Sequence, residues 1–291
     1  MLSIIIVNYR SWKRLSACLN SIAQQGYDDV ETIVVDNFSN DDEGETFAAQ
    51  FPHVKFIMQN INGGFAQACN KGAEHASGDW FLFLNPDTVL DKPVLKPLLE
   101  KVGQAPDWKL VGIRQFNDAG KDTHPHGIFL KWWNVWPPLR SLERLFKGAQ
   151  YSKEYFSTAP DTYPDWISGA FVLIRKNDFN ELGGWDERFW MYYEDMDLSK
   201  RAADKGWKRV MYNELTCIHS HGGSSRINHD IKALTKSTVI KSAYLYINKY
   251  MTGLGKWIAV ATLYKITIID LLLSAPFSST KRKLIRLFLK G

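Results

Sequence analysis

Asp87 is a candidate ligand-binding carboxylate because it follows a predicted strand of an α/β sheet. The apolar run Trp80–Leu84 predicts a buried strand, and Pro86 ends it because proline cannot donate to a sheet ladder. Asp87 then lies beyond the carboxyl end of the strand, where open α/β sheets bind their ligands. Hard cations such as Mg2+ and Mn2+ bind carboxylate oxygens together with substrate phosphates. An ordinary β-turn over Asn85–Asp87 is the competing interpretation.

Two polar segments earlier in the chain also follow predicted strands. The carboxylate of Asp36 can accept a hydrogen bond from a nucleobase N–H or a ribose hydroxyl, or it can cap the next helix. Asn62, Gly63 and Gly64 precede a predicted helix whose first N–H groups can approach a phosphate, or they form an ordinary turn. Together with Asp87, these segments indicate a nucleotide ligand.

Candidates for acid–base chemistry lie in the second half of the chain. Glu194, Asp195 and Asp197 fall in the first turn of a predicted helix that Gly206 terminates. The helix dipole stabilises acids at this position by about 0.3–1 kcal/mol each, which is a structural reason for some of them. The aromatic stretch Phe189–Tyr193 precedes them. A carboxylate beneath such a wall is partly desolvated, which raises its pKa towards that of a general base.

His219 is the candidate metal or phosphate ligand on the C-terminal side. It ends a predicted strand, 216–219, and leads into a glycine-rich loop that also contains His221. An imidazole there can ligate a metal or contact a phosphate, although a surface histidine without such a role is commoner.

Alternating strands and helices position these residues. Strands alternating with helices imply βαβ units with right-handed crossovers and a mostly parallel sheet, so the polar segments that follow the strands gather at one edge. Neither G-x-G-x-x-G after the first strand nor G-x-x-x-x-G-K-[ST] is present, which excludes the dinucleotide-binding and P-loop classes. The predicted strands are Ser3–Asn8, Val30–Asp36, Lys55–Met58, Trp80–Leu84 and Trp166–Ile174; the predicted helices are 12–24, a helix ending near Gln50, and Phe65–Ala76.

Composition agrees with a globular protein of a reducing compartment. Hydrophobic residues make up 45% of the 291, enough for a sizeable core. The net charge of +5 is too small to indicate nucleic-acid binding, and no nucleic-acid-binding motif is present. The three cysteines are widely spaced, a pattern expected in a reducing cytosol and not in a disulfide or zinc framework. The N-terminal MLSIIIVNY lacks a basic region and predicts a core strand, not a signal peptide.

Taken in order, the motifs resemble those of the family 2 glycosyltransferases of GT-A fold, and in particular bacterial rhamnosyltransferase-type members. The resemblance covers about residues 1–225. It implies an α/β fold with a Rossmann-like, mostly parallel central sheet, followed by a C-terminal helical extension. In this branch Asn-Pro-Asp stands where many members carry Asp-x-Asp. The motifs are SIIIVNY, VVDNFSND, NINGGFAQACNKG, FLFLNPDT, WISGAFVLIRK, GGWDERFWMYYEDMDL and HSHGGSS.

The resemblance also implies roles for individual residues. Asp195 would be the catalytic base, with Glu194 beside it. Asp87 and His219 would hold a divalent cation, Mg2+ or Mn2+, with His221 as the alternative to His219. The donor site would comprise Asn8, Asp36, Asn37, Asn62, Gly63, Asn85 and Asp87, and the acceptor site Trp166, Gly169, Trp190 and Tyr193.

The reaction implied is inverting transfer of a sugar from a nucleotide-diphosphate donor. The donor expected from the resemblance is dTDP-L-rhamnose, and the acceptor is a cell-surface polysaccharide or a glycan on a polyprenyl diphosphate. A transferase that uses a UDP-sugar and a non-catalytic carbohydrate- or nucleotide-binding protein of the same fold are the alternatives. A polymer synthase is disfavoured because the sequence lacks Q-x-x-R-W and multiple spans.

The sequence predicts two parts. Residues 1–228 form the transferase domain, with a nucleotide-sugar half (1–115) and an acceptor and catalytic half (116–228). Residues 229–291 form a helical extension that lies on a membrane surface or pairs two copies of the chain. Its apolar stretch Trp257–Phe277 is interrupted by charges, and a basic and apolar tail, KRKLIRLFLK, follows. The expected location is cytoplasmic, on the inner face of the cell membrane. The tryptophans around Trp132 suit sugar stacking, a membrane interface or a satellite core.

Overall fold

A computed structural model describes residues 1–123, 125–146, 159–220 and 229–290. These residues form two compact units. The first contains residues up to 128, 159–190 and 194–220, and the second contains 129–146, 191–193 and 229–290. The domain boundary predicted at residue 228 falls outside the described residues, so it stays a prediction.

The first unit is built on a central sheet whose N-terminal half is entirely parallel. Its strands lie in the order β3-β2-β1-β4, so the sheet grows outward from β1 on both sides. The register pairs Asn8 with Asp36 and Asp36 with Met58, so the carboxyl ends of β1, β2 and β3 meet at one edge, as the sequence predicts. The strands are β1 (Leu2–Asn8), β2 (Val30–Asp36), β3 (Lys55–Met58) and β4 (Trp80–Leu84).

Helices cover both faces of this sheet because its three inner strands, Leu2–Asn8, Val30–Asp36 and Trp80–Leu84, bury side chains on both sides. Ile4 and Ile6 pack with α1 and α4 on one face, whereas Ile5 packs with α3 on the other. This three-layer arrangement leaves the loops at the sheet edge as the accessible surface. The helices of the first unit are α1 (Trp12–Ala23), α2 (Glu43–Ala49), α3 (Phe65–Glu74), α4 (Leu95–Gln104), and two later ones, Lys176–Leu182 and Glu194–Asp204.

The C-terminal half of the sheet is mixed. β10 pairs antiparallel with β4 and with β6, and β11 pairs parallel with β6 and antiparallel with β5 and β8. β7 and β9 form a separate two-stranded sheet. The remaining strands are β5 (Thr88–Val89), β6 (Trp108–Phe116), β7 (His126–Gly127), β8 (Asp161–Thr162), β9 (Trp166–Ile167), β10 (Phe171–Arg175) and β11 (Lys208–His219).

The predicted strand Trp166–Ile174 is divided in the structure at its Ser-Gly corner. The run forms β9 and β10, with a turn in which Phe171 N–H donates to Ser168 O at 3.4 Å. The N–H of Gly169 donates to the Asp195 carboxylate at 3.3 Å, so it is not available to a ladder. The corner therefore separates Trp166 and Ile167 from the strand that follows it.

The second unit is helical. Its small core contains Val135, Ile247 and Ala259. Trp132 packs over Gly255, where a Cβ would lie 3.1 Å from Trp132 Cδ1, but the Trp132 side chain is still 45% exposed. The tryptophan segment thus forms part of a satellite core and part of the surface. The two later helices of the first unit, Lys176–Leu182 and Glu194–Asp204, are α6 and α7. The helices of the second unit are α5 (Pro137–Phe146), α8 (His229–Tyr250), α9 (Gly253–Ser274) and α10 (Ser279–Lys290), with a 3-10 turn, Ala275–Phe277.

Candidate active site

The ends of β1 and β2 are joined by a buried polar cluster. The Asn8 side-chain amide donates to Asp36 Oδ1 at 2.9 Å, and Ser39 N–H donates to Asp36 Oδ2 at 2.9 Å. Asn8 and Asp36 are almost fully buried. Because its amide must face a carboxylate, Asn8 turns its own Oδ1 the other way, and that buried oxygen has no hydrogen-bond partner among the described residues. This oxygen can therefore accept a hydrogen bond from a ligand beside Asp36, the residue predicted to bind the nucleobase.

Asn37 organises the loop before α3. Its Nδ2 donates to Asn62 Oδ1 at 3.0 Å and to the backbone carbonyl of Gly64 at 3.1 Å, while its Oδ1 accepts from Gly63 N–H at 3.1 Å. The amide of Asn37 is therefore fully engaged within the protein. It contributes to the donor edge by fixing Asn62 and Gly63 in place.

Trp190 closes the amino end of α3. Its carbonyl accepts the N–H of Phe65 at 2.8 Å, and its indole N–H donates to Asn62 O at 3.2 Å. Gly64 has φ +89°, and a Cβ there would lie 2.1 Å from Trp190 O, so only glycine fits. The first helical N–H is thus bound by protein, and a phosphate would have to use the next ones.

Asp87 and His219 face each other at the same edge. β11 pairs His219 with Thr88, which brings the imidazole beside the loop after β4. Asp87 Oδ1 lies 3.2 Å from His219 Nε2, and the Asn85 amide nitrogen lies 3.3 Å from the same atom. Arg14 Nη1 lies 3.4 Å from Asp87 Oδ2 and donates to Ser220 O at 2.7 Å. One carboxylate therefore lies between an imidazole and a guanidinium.

These two residues supply donors of the kind that a divalent cation binds. Asp87 Oδ1 and His219 Nε2 lie 3.2 Å apart, close enough for one ion to contact both atoms. No cluster of three or more His, Cys, Asp or Glu side chains suited to a metal occurs in the described part of the chain. A cation held here would take its other ligands from phosphate oxygens and water.

Asp195 lies at the amino end of α7. Its Oδ1 accepts from Met196 N–H at 2.7 Å and its Oδ2 from Gly169 N–H at 3.3 Å. Gly169 precedes Ala170, whose carbonyl accepts from Asn85 N–H at 3.0 Å. The pairing of β4 with β10 thus brings the Asp195 carboxylate close to the Asn85–Asp87 loop.

The two adjacent carboxyl groups have different environments. Burial raises the pKa of Glu194 well above its ordinary value, and the charges of Asp195 and Asp197 raise it further. Glu194 Oε2 is buried without a hydrogen-bond partner among the described residues. Burial also raises the pKa of Asp195, but the N–H groups of Met196 and Gly169 oppose that rise by stabilising the anion. Glu194 therefore holds a proton more readily than Asp195 does.

The remaining predicted residues have other surroundings. Trp166 lies on β9, where its indole N–H donates to Ile128 O at 3.0 Å. Tyr193 belongs to the second unit, where its ring centroid lies 5.8 Å from that of Tyr246. His221 lies outside the described residues. Their predicted roles stay predictions.

Sequence reasoning missed Ser39, Arg14 and Gln115. Gln115 Oε1 lies 2.9 Å from His219 Nδ1, and both side chains are buried. Ser39 lies within the quoted VVDNFSND motif, and Arg14 follows β1 in the first turn of α1, so both positions at the sheet edge were detectable. Gln115 was missed because the strand that contains it, β6, was not predicted from the sequence.

Two named relatives are rhamnosyltransferases. N-acetylglucosaminyl-diphospho-decaprenol L-rhamnosyltransferase from Mycobacterium tuberculosis is 25% identical over 253 residues, covering 77% of this chain and 78% of the relative. Rhamnosyltransferase WbbL from Escherichia coli is 30% identical over 148 residues, covering 50% of this chain and 53% of the relative.

A solved structure shares the fold. The mannosyltransferase PcManGT from Pyrobaculum calidifontis, in complex with GDP-Man and Mn2+, aligns with a TM-score of 0.56 and 14% identity, covering 99% of this chain and 79% of that one. The fold predicted from the sequence, GT-A with a largely parallel sheet and a helical C-terminal region, is confirmed. Residues 3–183 match the sequence pattern of Glycosyl transferase family 2, so the chain belongs to that family and is a glycosyltransferase.

Proposed function

We propose that this enzyme transfers L-rhamnose, with inversion, from dTDP-L-rhamnose to a glycan carried on a polyprenyl diphosphate, a step towards a cell-surface polysaccharide. The names of both rhamnosyltransferase relatives support the sugar, and the decaprenol-linked acceptor of the mycobacterial relative supports the acceptor class. The observation that carries the proposal is the proximity of Asp195 to the Asn85–Asp87 loop through the Asn85–Ala170 hydrogen bond. A base and a diphosphate-binding loop then share one edge of the sheet.

Asp195 acts as the base in this proposal. The acceptor hydroxyl attacks the anomeric carbon from the face opposite the nucleotide, and its proton passes to the Asp195 carboxylate. A carbon–oxygen bond forms to the acceptor while the bond to the diphosphate oxygen breaks, so the anomeric configuration inverts. The N–H groups of Gly169 and Met196 stabilise the anionic form of Asp195 and orient it for this role.

The donor occupies the other loops of the edge. Asp36 and Asn8 bind the nucleoside, with the buried Asn8 Oδ1 available to a nucleobase N–H. Asn62 and Gly63 line the path of the diphosphate, and Asn37 fixes them. Asp87 and His219 would hold Mg2+ or Mn2+, and the charge of such a cation would stabilise a departing diphosphate. Trp166, Gly169, Trp190 and Tyr193 are assigned to the acceptor by the resemblance.

The second unit provides a membrane-binding face. Among the described residues, one stretch, Gly253–Phe277, is long and apolar enough to cross a membrane, and 6% of its most apolar window is buried. Its 22-residue helix α9 is about 33 Å long. Large apolar side chains recur every three or four residues along its exposed side: Leu254, Trp257, Ile258, Tyr264, Ile268, Ile269, Leu272 and Leu273.

The occupant of this face is a bilayer with anionic headgroups. A one-sided apolar stripe suits a helix lying in the interface, and Lys265 within the stripe disfavours a full span. The next helix, α10, carries Arg282, Lys283 and Arg286 with no acidic residue, while Lys281 of the same helix is buried and pairs with Asp270. Basic residues beside an apolar face match the anionic cytoplasmic leaflet. The proposed location is therefore the cytoplasmic surface of the cell membrane.

The donor assignment predicts selective stabilisation. A ligand that binds only the folded state raises the melting temperature, so dTDP-rhamnose with Mn2+ should raise it more than UDP- or GDP-sugars do. Transfer to a synthetic polyprenyl-diphosphate glycan, with the anomeric configuration of the product read by NMR, then tests the reaction. A larger increase in melting temperature with a UDP-sugar would identify a UDP-sugar as the donor. Donor binding without transfer to any acceptor would favour a non-catalytic binding protein.

Asp195→Asn is expected to lower the transfer rate by about 10²–10⁴-fold, because the amide cannot accept the acceptor proton. The affinity for the nucleotide donor should be unchanged, as measured by isothermal titration calorimetry. The matched variant Glu194→Gln mimics the protonated side chain, so its rate should stay within roughly tenfold of wild type. A larger loss of transfer rate in Glu194→Gln than in Asp195→Asn would assign the role of base to Glu194 instead of Asp195.

Glu194→Gln should also change the pH dependence of stability. The pKa of Glu194 is raised in the folded state, so its contribution is fully present below the unfolded value of about 4.3 and is lost as the pH rises through the folded value. Wild type and variant should therefore unfold alike near pH 4, and the variant should become the more stable as the pH increases. Urea unfolding across this range measures the difference. The exposed control Glu100→Gln should show no such divergence, and parallel curves for Glu194→Gln would contradict burial of a protonated carboxyl.

Membrane binding should depend on the α9 face. Leu272 and Leu273 are 71% and 70% exposed, and burial of one leucine contributes about 1.5–3 kcal/mol. The variant Leu272→Glu/Leu273→Glu should lose at least about tenfold in affinity for anionic vesicles in co-sedimentation. The control Leu234→Glu, at an exposed leucine of α8, should bind as wild type does. Unchanged binding of the double variant would reject the membrane face, and a dimer that only the double variant disrupts would assign the face to a second copy.

A further inference from the structure

A buried glutamine contacts the ring nitrogen of His219 that faces away from Asp87. Gln115 is 1% exposed and His219 is 3% exposed. Gln115 Oε1 lies 2.9 Å from His219 Nδ1, a normal hydrogen-bond distance. Gln115 belongs to β6, which lies next to β11 in the sheet.

The strand register explains why this contact forms. The parallel pairing of β6 with β11 sets Gln115 beside Cys217 and Phe116 beside Ile218. Side chains two residues apart on a strand share a face, so His219 points to the same side as Cys217 and therefore as Gln115. Strand pairing thus holds the amide against the imidazole without help from a loop.

The contact selects one tautomer of the histidine. A neutral imidazole has one N–H donor and one acceptor nitrogen, and an amide oxygen can only accept. Gln115 Oε1 therefore requires the proton on Nδ1, which leaves the lone pair on Nε2. The Asn85 amide, 3.3 Å from Nε2, donates to that same lone pair. Two neighbours on different elements favour the same proton position.

The consequence appears at Asp87. With the proton on Nδ1, Asp87 Oδ1 and His219 Nε2 are two electron-pair donors 3.2 Å apart. Two acceptors at that distance repel unless a positive charge lies between them. This is the arrangement in which a ligating histidine donates its other N–H to an oxygen that fixes its orientation.

We propose that Gln115 is a positioning residue that holds His219 as the Nδ1–H tautomer, so that Nε2 and Asp87 together bind a divalent cation. This inference rests on the proposed role of Asp87 and His219 in the transferase reaction, but the tautomer itself is a property of the metal-free protein. The proposal gives Gln115 a function in cation binding although its side chain would contact neither the substrate nor the metal.

Two substitutions at Gln115 separate its hydrogen bond from its volume. Gln115→Met keeps a long unbranched side chain and removes the acceptor. Gln115→Glu keeps an acceptor oxygen at the same place and supplies the carboxylate partner common behind metal-bound histidines. Thermal unfolding of both variants confirms that each is folded before binding is compared.

The tautomer is read directly by long-range 1H–15N NMR of the metal-free protein, with His219 assigned by comparison with His219→Gln. Wild type and Gln115→Glu should show a protonated Nδ1 and an unprotonated Nε2. Gln115→Met should lose that preference. A protonated Nε2 in wild type would overturn the proposal, because the imidazole would then donate to Asp87 and have no lone pair for a cation.

Cation binding is measured separately, by titrating Mn2+ and following the free ion by electron paramagnetic resonance. Gln115→Met should bind Mn2+ about 10–100-fold more weakly than wild type, whereas Gln115→Glu should bind at least as well. Equal affinity of Gln115→Met and wild type would overturn the positioning role. If wild type binds no Mn2+ yet keeps the Nδ1–H tautomer, the cation role in the proposed function fails while the assignment of the Gln115 hydrogen bond holds.

Discussion

The antiparallel pairing of β10 with β4 is the constraint on which the site depends. The parallel strands β1 to β4 produce an edge of polar loops that could bind a nucleotide but contains no general base. Only the pairing that sets Ala170 against Asn85 brings Gly169, and with it Asp195, next to that edge. A shift of register by one residue would move every side chain of β10 to the opposite face and separate Asp195 from Asp87.

The carboxyl groups of the candidate site have different partners. Asp36 accepts hydrogen bonds from Asn8 and Ser39, Asp87 lies between His219 and Arg14, and Asp195 accepts backbone N–H groups. Glu194 Oε2 has no hydrogen-bond partner among the described residues, and burial raises the pKa of this carboxyl well above its ordinary value. An isolated buried charge is unfavourable unless it is paired or neutralised.

The sequence predicts the parallel half of the fold well because each strand is a short apolar run bounded by turn residues. Val30–Asp36, Lys55–Met58 and Trp80–Leu84 are the observed strands to the residue. The mixed half was harder, because antiparallel order depends on contacts between distant segments that periodicity does not encode. β6 was not predicted, and Gln115 was missed with it. Resemblance supplied Asp195 and His219, but their hydrogen-bond partners follow only from strand register.

The Asn-Pro-Asp sequence sets the electrostatics of the proposed cation site. With Asn85 in place of a carboxylate, Asp87 would be the single anion there, and Arg14 already lies 3.4 Å from its second oxygen. A cation site with so little negative charge would gain much of its affinity from a neutral donor, and His219 Nε2 lies 3.2 Å from Asp87 Oδ1. That nitrogen carries a lone pair only when the proton is held on Nδ1, which is the state that Gln115 favours. Under the proposed function, the loss of one carboxylate from the motif therefore makes a buried amide on a neighbouring strand matter for metal binding.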